Sequence, residues 1–221
     1  MVASQDSQIA QPVGNRIRTQ WQRPTAELTE QFRGFPTGFI GDAMSRTGVM
    51  SGHIRPLWSG AIVHGTVLPV LVRSGDNLKI HQAMAIAAPG DVLVIDGQGS
   101  LSHGLFGELM ATAAIAQGIT GLVIDGAVRD IAHLESLGFA VFGRGICPAG
   151  PSKEGSGEVG YPIACGGLVC TAGDLIIGDA DGVVVIPRAD LALVLEATRA
   201  VALWEEKVRA GLAVGKPILA T

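Results

Sequence analysis

The residues best suited to chemistry are Glu108 and the pair Arg129-Asp130, which close off the apolar stretch GELMATAAIAQGITGLVIDGAVRD at 107–130. An arginine offers a carboxylate a planar fork of N–H donors. An aspartate offers a divalent cation a hard oxygen. Twenty residues, 109–128, separate the glutamate from the arginine. A structural account of the same residues is also open: Asp130 would N-cap the helix IAHLESLG, Glu108 would serve a helix dipole, and Arg129 would pair with either.

The elements that must position these residues can be read from pattern. GLFGELMATAAIAQG, rich in Ala, Leu and Met, predicts a helix stopped by Gly118. ITGLVID predicts a strand, followed by the turn GAVRD, the helix IAHLESLG and the strand FAVFGRG. In a strand–helix–strand unit, the loops at the carboxyl ends of parallel strands come together, and α/β sheets place ligands there. Glu108 would then stand in the first turn of its helix, beside Arg129-Asp130. Upstream, TAELTEQFRGF with Thr25 as N-cap, GFIGDAMSRTG and NLKIHQAMAIA predict helices, and residues 60–73 predict one or two strands. Downstream, residues 147–160 form a Gly/Pro/Ser-rich loop, either a lid over the site or a subunit contact, and a long helix runs from about Arg188 to Ala210. PGDVLVIDG at 89–97 and AGDLIIGDADG at 172–182 echo each other, which suggests two similar strands in one mixed sheet system.

Other candidates are weaker. DGQGSLSHG at 96–104 invites a dinucleotide reading, with Asp125 at a plausible offset for a ribose contact, but Ser102 stands where the third glycine should fall. A helix N-terminus fed by a flexible loop remains, which favours an anion. His103 lies near the expected site and reads as structural. The lysines Lys79, Lys153, Lys207 and Lys216 do not lie in an apolar strand that would depress a pKa, which argues against Schiff-base chemistry.

Composition bounds the function class. The 221 residues are 48% hydrophobic and 16% charged, enough for one domain with a substantial core. The net charge of −4 gives no electrostatic reason to expect nucleic acid. No run of residues has the length and apolarity of a membrane span. Three cysteines without CxxC spacing read as reduced thiols of a cytoplasmic protein. The polar N-terminus reads as an arm packed on a neighbour or as a disordered tail.

The run through PGDVLVIDG, FGELMATAA, GLVIDGAVRD and AGDLIIGDADGVVVIP resembles the regulator-of-ribonuclease-E-activity-A-like superfamily, which includes the class II 4-hydroxy-4-methyl-2-oxoglutarate/4-carboxy-4-hydroxy-2-oxoadipate aldolases. Its specific element, an acid, twenty positions and then Arg-Asp, falls on Glu108, Arg129 and Asp130. The resemblance implies an α/β fold, an αββα sandwich with mixed central sheets and flanking helices, over 25–221 after an arm at 1–24. It implies a lyase that releases pyruvate from a 4-hydroxy-2-oxo acid, with oxaloacetate decarboxylation as a side activity. The cofactor would be Mg²⁺ or Mn²⁺, with Asp130 as direct ligand and Glu108 reaching it through water. Gly107, Leu109 and Met110, with Arg129, would hold the 2-keto acid, and Glu108 and Arg129 would be catalytic. A homotrimer or homohexamer is implied, in which Glu205 or Glu206 reaches a neighbouring site. The alternative is a non-catalytic regulator of ribonuclease activity that acts by protein binding. Regulators of this type keep GAVRD without the upstream acid.

Overall fold

The computed structural model describes residues 12–218. In chain order come α1 (Ala26–Glu30), α2 (Thr37–Ala43), β1 (Arg55–Pro56), β2 (Val63–Val72), α3 (Leu78–Met84), β3 (Asp91–Asp96), α4 (Glu108–Ala116), β4 (Gly121–Val128), α5 (Ile131–Ser136) and β5 (Ala140–Ile146). There follow β6 (Gly157–Val159), β7 (Ile163–Cys165), β8 (Leu168–Cys170), β9 (Leu175–Asp179), β10 (Gly182–Ile186), a 3-10 turn at Arg188–Asp190 and α6 (Leu191–Ala213). No helix among the described residues is long and apolar enough to cross a membrane.

One mixed sheet runs β1-β5-β4-β3-β2-β9-β10, with β6 also paired to β2. Strands β2 to β5 are parallel, and β9, β10, β6 and β1 join antiparallel. Because β1 approaches β10, the sheet nearly closes on itself. Its inner core includes Val67, Val92, Val94, Val123, Phe142, Ile176 and Val183. Outside the parallel strands, Leu93, Ile95, Leu122 and Ile124 pack with Ile80 of α3, Ala111 and Ala114 of α4, and Leu134 of α5. Outside β9 and β10, Leu175, Ile177, Val184 and Ile186 pack with Ile40 of α2 and Leu191, Val194 and Leu195 of α6. Helices thus flank both walls of one nearly closed mixed sheet, the expected α/β arrangement with its two β layers joined into a single sheet. β4 is buried at all eight positions, as a parallel strand covered on both faces must be.

Three local outcomes differ from the sequence reading or refine it. Residues 60–73 supply a single ten-residue strand, β2, because it has partners on both sides. The two echoing segments become β3 and β9, which flank β2 with opposite directions. Each enters by a glycine with positive φ, Gly90 at +88° and Gly173 at +91°. In each, the following aspartate accepts the amide three residues back, Asp91 from Ala88 and Asp174 from Thr171, both at 2.9 Å.

The segment 12–24 packs on its own chain, where the sequence suggested a neighbour or disorder. Arg16 makes a two-pronged pair with Glu158, Arg18 donates its amide to the Val159 carbonyl at 2.9 Å, and Arg23 forks onto the buried Asp91. Residues 1–11 lie outside the described residues.

Candidate functional site

The structure brings Glu108, Arg129 and Asp130 to one rim at the carboxyl ends of the parallel strands. The segment 104–106 makes this possible by running alongside the end of β4. Leu105 donates to the Ala127 carbonyl and Arg129 donates to the Phe106 carbonyl, both at 2.9 Å. Gly107 is thereby set against the Arg129-Asp130 turn just before α4 begins. A Cβ on Gly107 would collide with the Asp130 carboxylate and stand 3.0 Å from Arg129 Cγ, so only glycine permits this approach.

Gly107 is also the N-cap of α4 and has no side chain to cap it. The first amides of a helix need partners from outside it. Asp130 Oδ2 accepts the Glu108 amide at 3.2 Å, while the Leu109 and Met110 amides, in the same positive end of the dipole, have no acceptor among the described residues. The carboxylate thus turns back to α4. It does not cap α5, although Asp130 occupies that N-cap position and its carbonyl accepts from His133 at 2.9 Å. Asp130 takes a left-handed conformation, φ 58° and ψ 37°, that costs a non-glycine residue about 1 kcal/mol or more.

Arg129 Nε lies 3.4 Å from Asp130 Oδ2, and Asp130 Oδ1 has no partner among the described residues. Glu108 projects from the first turn of α4, its carboxylate 3.9 Å from His133 Nδ1 of α5. Arg129, Asp130 and Glu108 side chains are 41%, 38% and 45% exposed, so the rim is open to ligand. Beneath it lies a cleft of about 30 Å³, lined by Asn77, Gly107, Leu109, Met110, Arg129 and Pro151. That is room for one water-sized group. A larger hollow of about 550 Å³, bordered by Met44, Val169 and Leu193, is mainly apolar and shares no residue with the rim.

The loop expected as a lid or subunit contact is pinned from below. Asp76 is almost wholly buried, and its carboxylate accepts from Ser152 Oγ at 2.6 Å, the Glu154 amide at 2.7 Å and the Leu78 amide at 2.8 Å. Burial pushes the Asp76 pKa up, but hydrogen bonds from Ser152, Leu78, Glu154 and Gly155 outweigh it and leave the pKa below its ordinary value. Gly150 of the same loop backs onto Arg129; a Cβ there would stand 3.3 Å from Nη1. Asp76 and Asn77 escaped the sequence reading. Their signal is a polar turn, SGDN, whose partners lie some 75 residues downstream and at Leu105.

The remaining candidates are placed as follows. Asp125 commits its carboxylate to Arg144 and to the Gly166 amide at 3.0 Å, which leaves nothing for a ribose. The His103 ring packs on Gly75, outside the cleft. Lys79 corrects an expectation: it is 3% exposed, and burial lowers its pKa. Its Nζ donates to Gln82 at 2.9 Å, away from the rim, so it does not reopen Schiff-base chemistry there. Glu205 pairs with Arg209 at 3.4 Å along α6, and Glu206 is exposed. Burial raises both Cys165 and Cys170, the latter to about 12.

Known proteins share this architecture. A solved structure of an uncharacterized protein from Pseudomonas syringae pv. tomato superposes with a TM-score of 0.82 over 91% of this chain and 95% of that one, at 23% identity, and shows the fold alone. Streptomyces coelicolor RraAS2, described as an unusual member of the RNase ES inhibitor RraA protein family, gives 0.76 over 85% and 99%, at 25% identity. A Halalkalibacterium halodurans protein named "Putative 4-hydroxy-4-methyl-2-oxoglutarate aldolase" is 43% identical over 170 residues, 77% of this chain and 81% of that one. Residues 27–185 match the family described as RraA-like, Aldolase/RraA. With most of its length inside that match, the chain belongs to the RraA-like family.

Proposed function

We propose that this chain is a divalent-metal-dependent, class II carbon–carbon lyase. It would cleave a 4-hydroxy-2-oxo dicarboxylic or tricarboxylic acid to pyruvate and decarboxylate oxaloacetate at the same site. One observation carries the reading: two uncapped amides, an arginine and a half-free aspartate converge on one open rim beside Glu108. The name of the Halalkalibacterium relative supports it.

Asp130 fits Mg²⁺ or Mn²⁺ as a single direct ligand through Oδ1. No group of three or more His, Cys, Asp or Glu residues that could hold a metal exists among the described residues. The ion would therefore keep mostly water and substrate oxygens, as Mg²⁺ commonly does. When bound, it supplies a Lewis acid for the keto oxygen.

The Leu109 and Met110 amides take the substrate carboxylate at the positive end of α4. Arg129 donates to the keto oxygen and stabilises the negative charge that grows there as the carbon–carbon bond breaks. Glu108 orients a water that removes the C4 hydroxyl proton, help worth about 10²–10⁴ in rate. The fragment left is the pyruvate enolate, and loss of CO₂ from oxaloacetate leaves the same enolate. A homotrimer or homohexamer, in which α6 brings Glu205 or Glu206 to a neighbour, would cover the open rim.

The test is coupled pyruvate release from 4-hydroxy-4-methyl-2-oxoglutarate and from oxaloacetate, with Mg²⁺ and then after chelation. Turnover should vanish with chelator and return with metal, and Glu108→Gln should lower kcat more than it raises KM. Activity that survives thorough chelation would sink the metal-dependent mechanism. If neither substrate is cleaved, binding to ribonuclease components, the property named for the RraA proteins, becomes the reading to measure.

A further inference from the structure

Four buried side-chain polar atoms lack a partner among the described residues: Trp21 Nε1, Asn77 Oδ1, His81 Nε2 and His103 Nδ1. Only Asn77 lines the cleft beneath the rim. Asn77 occupies the N-cap of α3, where an asparagine side chain ordinarily caps its own helix, yet it makes no such bond. Its Nδ2 donates to the Leu105 carbonyl at 3.0 Å and faces Met110 Sδ at 3.4 Å. Both neighbours require N–H, which fixes the amide's orientation and leaves Oδ1 as an acceptor only. An acceptor this deeply buried without a donor would cost about 1–3 kcal/mol.

The cleft of about 30 Å³ has room for one water, and Arg129, with five N–H donors, also lines it. A water there gives one hydrogen to Asn77 Oδ1, accepts from an Arg129 N–H not used on the keto oxygen, and turns its second hydrogen toward whatever occupies the rim. That orientation makes it a proton donor. We propose that Asn77 is a positioning residue which holds the water that protonates the pyruvate enolate. The inference rests on the lyase reading given above. In the step, C3 of the enolate takes the water's proton as the enolate C=C becomes the ketone C=O. The hydroxide left behind is reprotonated from solvent.

The test separates protonation from bond cleavage. Exchange of pyruvate methyl protons in D₂O, followed by NMR with Mg²⁺ present, requires enolate formation and protonation without any aldol substrate. Asn77→Ala should slow this exchange about 10²-fold, the low end for a positioned proton donor. Inhibition of oxaloacetate decarboxylation by pyruvate should stay within about threefold, since the carboxylate contacts remain. Exchange that is unchanged, or that falls only in step with pyruvate affinity, overturns the proposal. A wild-type measurement covers the case in which the variant does not fold. Oxaloacetate stereospecifically tritiated at C3 and decarboxylated in D₂O should give pyruvate of one methyl chirality. A racemic methyl group means that bulk solvent delivers the proton and overturns the proposal. Wild-type protein that forms no pyruvate from any substrate removes the lyase reading itself, a separate and recognisable failure.

Discussion

Two acid–arginine pairs come from the β4 segment, and they behave oppositely. Asp125 sits within the strand, its side chain 12% exposed, and gives both oxygens to Arg144 and the Gly166 amide. Asp130 sits two residues past the strand's end, its side chain 38% exposed, with one oxygen on the Glu108 amide and the other unused. The residue types are the same. What differs is whether the surrounding backbone has already claimed the lone pairs, and an acid can take a ligand only where it has not. β7 and β8 pair antiparallel as a hairpin, which Asp125 ties to the sheet through the Gly166 amide between them, whereas the Asp130 pair leaves capacity at a surface.

This contrast can be broken in order of expected size. If the proposed role of Asp130 as metal ligand holds, Asp130→Ala should lower pyruvate formation about 10³-fold. Its thermal melting temperature should barely move, because the left-handed backbone strain, one weak cap and a half-exposed pair with Arg129 are all that change. Gly107→Ala should be next, about 10²-fold in kcat/KM, because the new methyl displaces Asp130 and Arg129 from the rim. Asp125→Ala should show the reverse pattern. Leaving Arg144 unpaired should cost about 2 kcal/mol in a denaturant titration, less than a fully buried pair because Arg144 is one-third exposed. If Asp125→Ala loses more activity than stability, the division between the two pairs is wrong.

The smallest effect concerns Asp76 and pH. Its carboxyl is held below its ordinary range, so the clamp on Ser152 and Glu154 contributes stability at pH values above that range. That contribution fades as pH falls through the folded value. As the pH falls below the ordinary carboxylate range, the melting temperature of the wild type should therefore approach that of Asp76→Asn, closing a gap of about 2–4 °C. A gap that widens on acidification contradicts the clamp.

Much of this arrangement was legible in the chain itself. The interval from Glu108 to Arg129 is the length of a helix and the strand that returns from it, and local pattern alone defines both. Gly118, at φ +77°, stops α4 where its residue type predicts. Contacts without local periodicity were not legible. The Asp76 clamp joins residues 76 to 78 positions apart, and Asn77 finds Leu105 across 28. The arm's attachment to Glu158 spans 142 residues, so composition could suggest an arm but not its berth. Lys79 shows the same limit: a lysine in a helix gives no sequence sign that tertiary packing will bury it.

The bare N-cap of α4 has a consequence beyond the proposed chemistry. A helix that begins on glycine, with its second and third amides unanswered, is an unfinished element, and its first turn will open more readily than the turns behind it. A bound carboxylate supplies the missing cap from outside the chain. Ligand occupancy and the integrity of that turn then become one equilibrium. The protein would be most rigid at its rim only while a carboxylate is bound there.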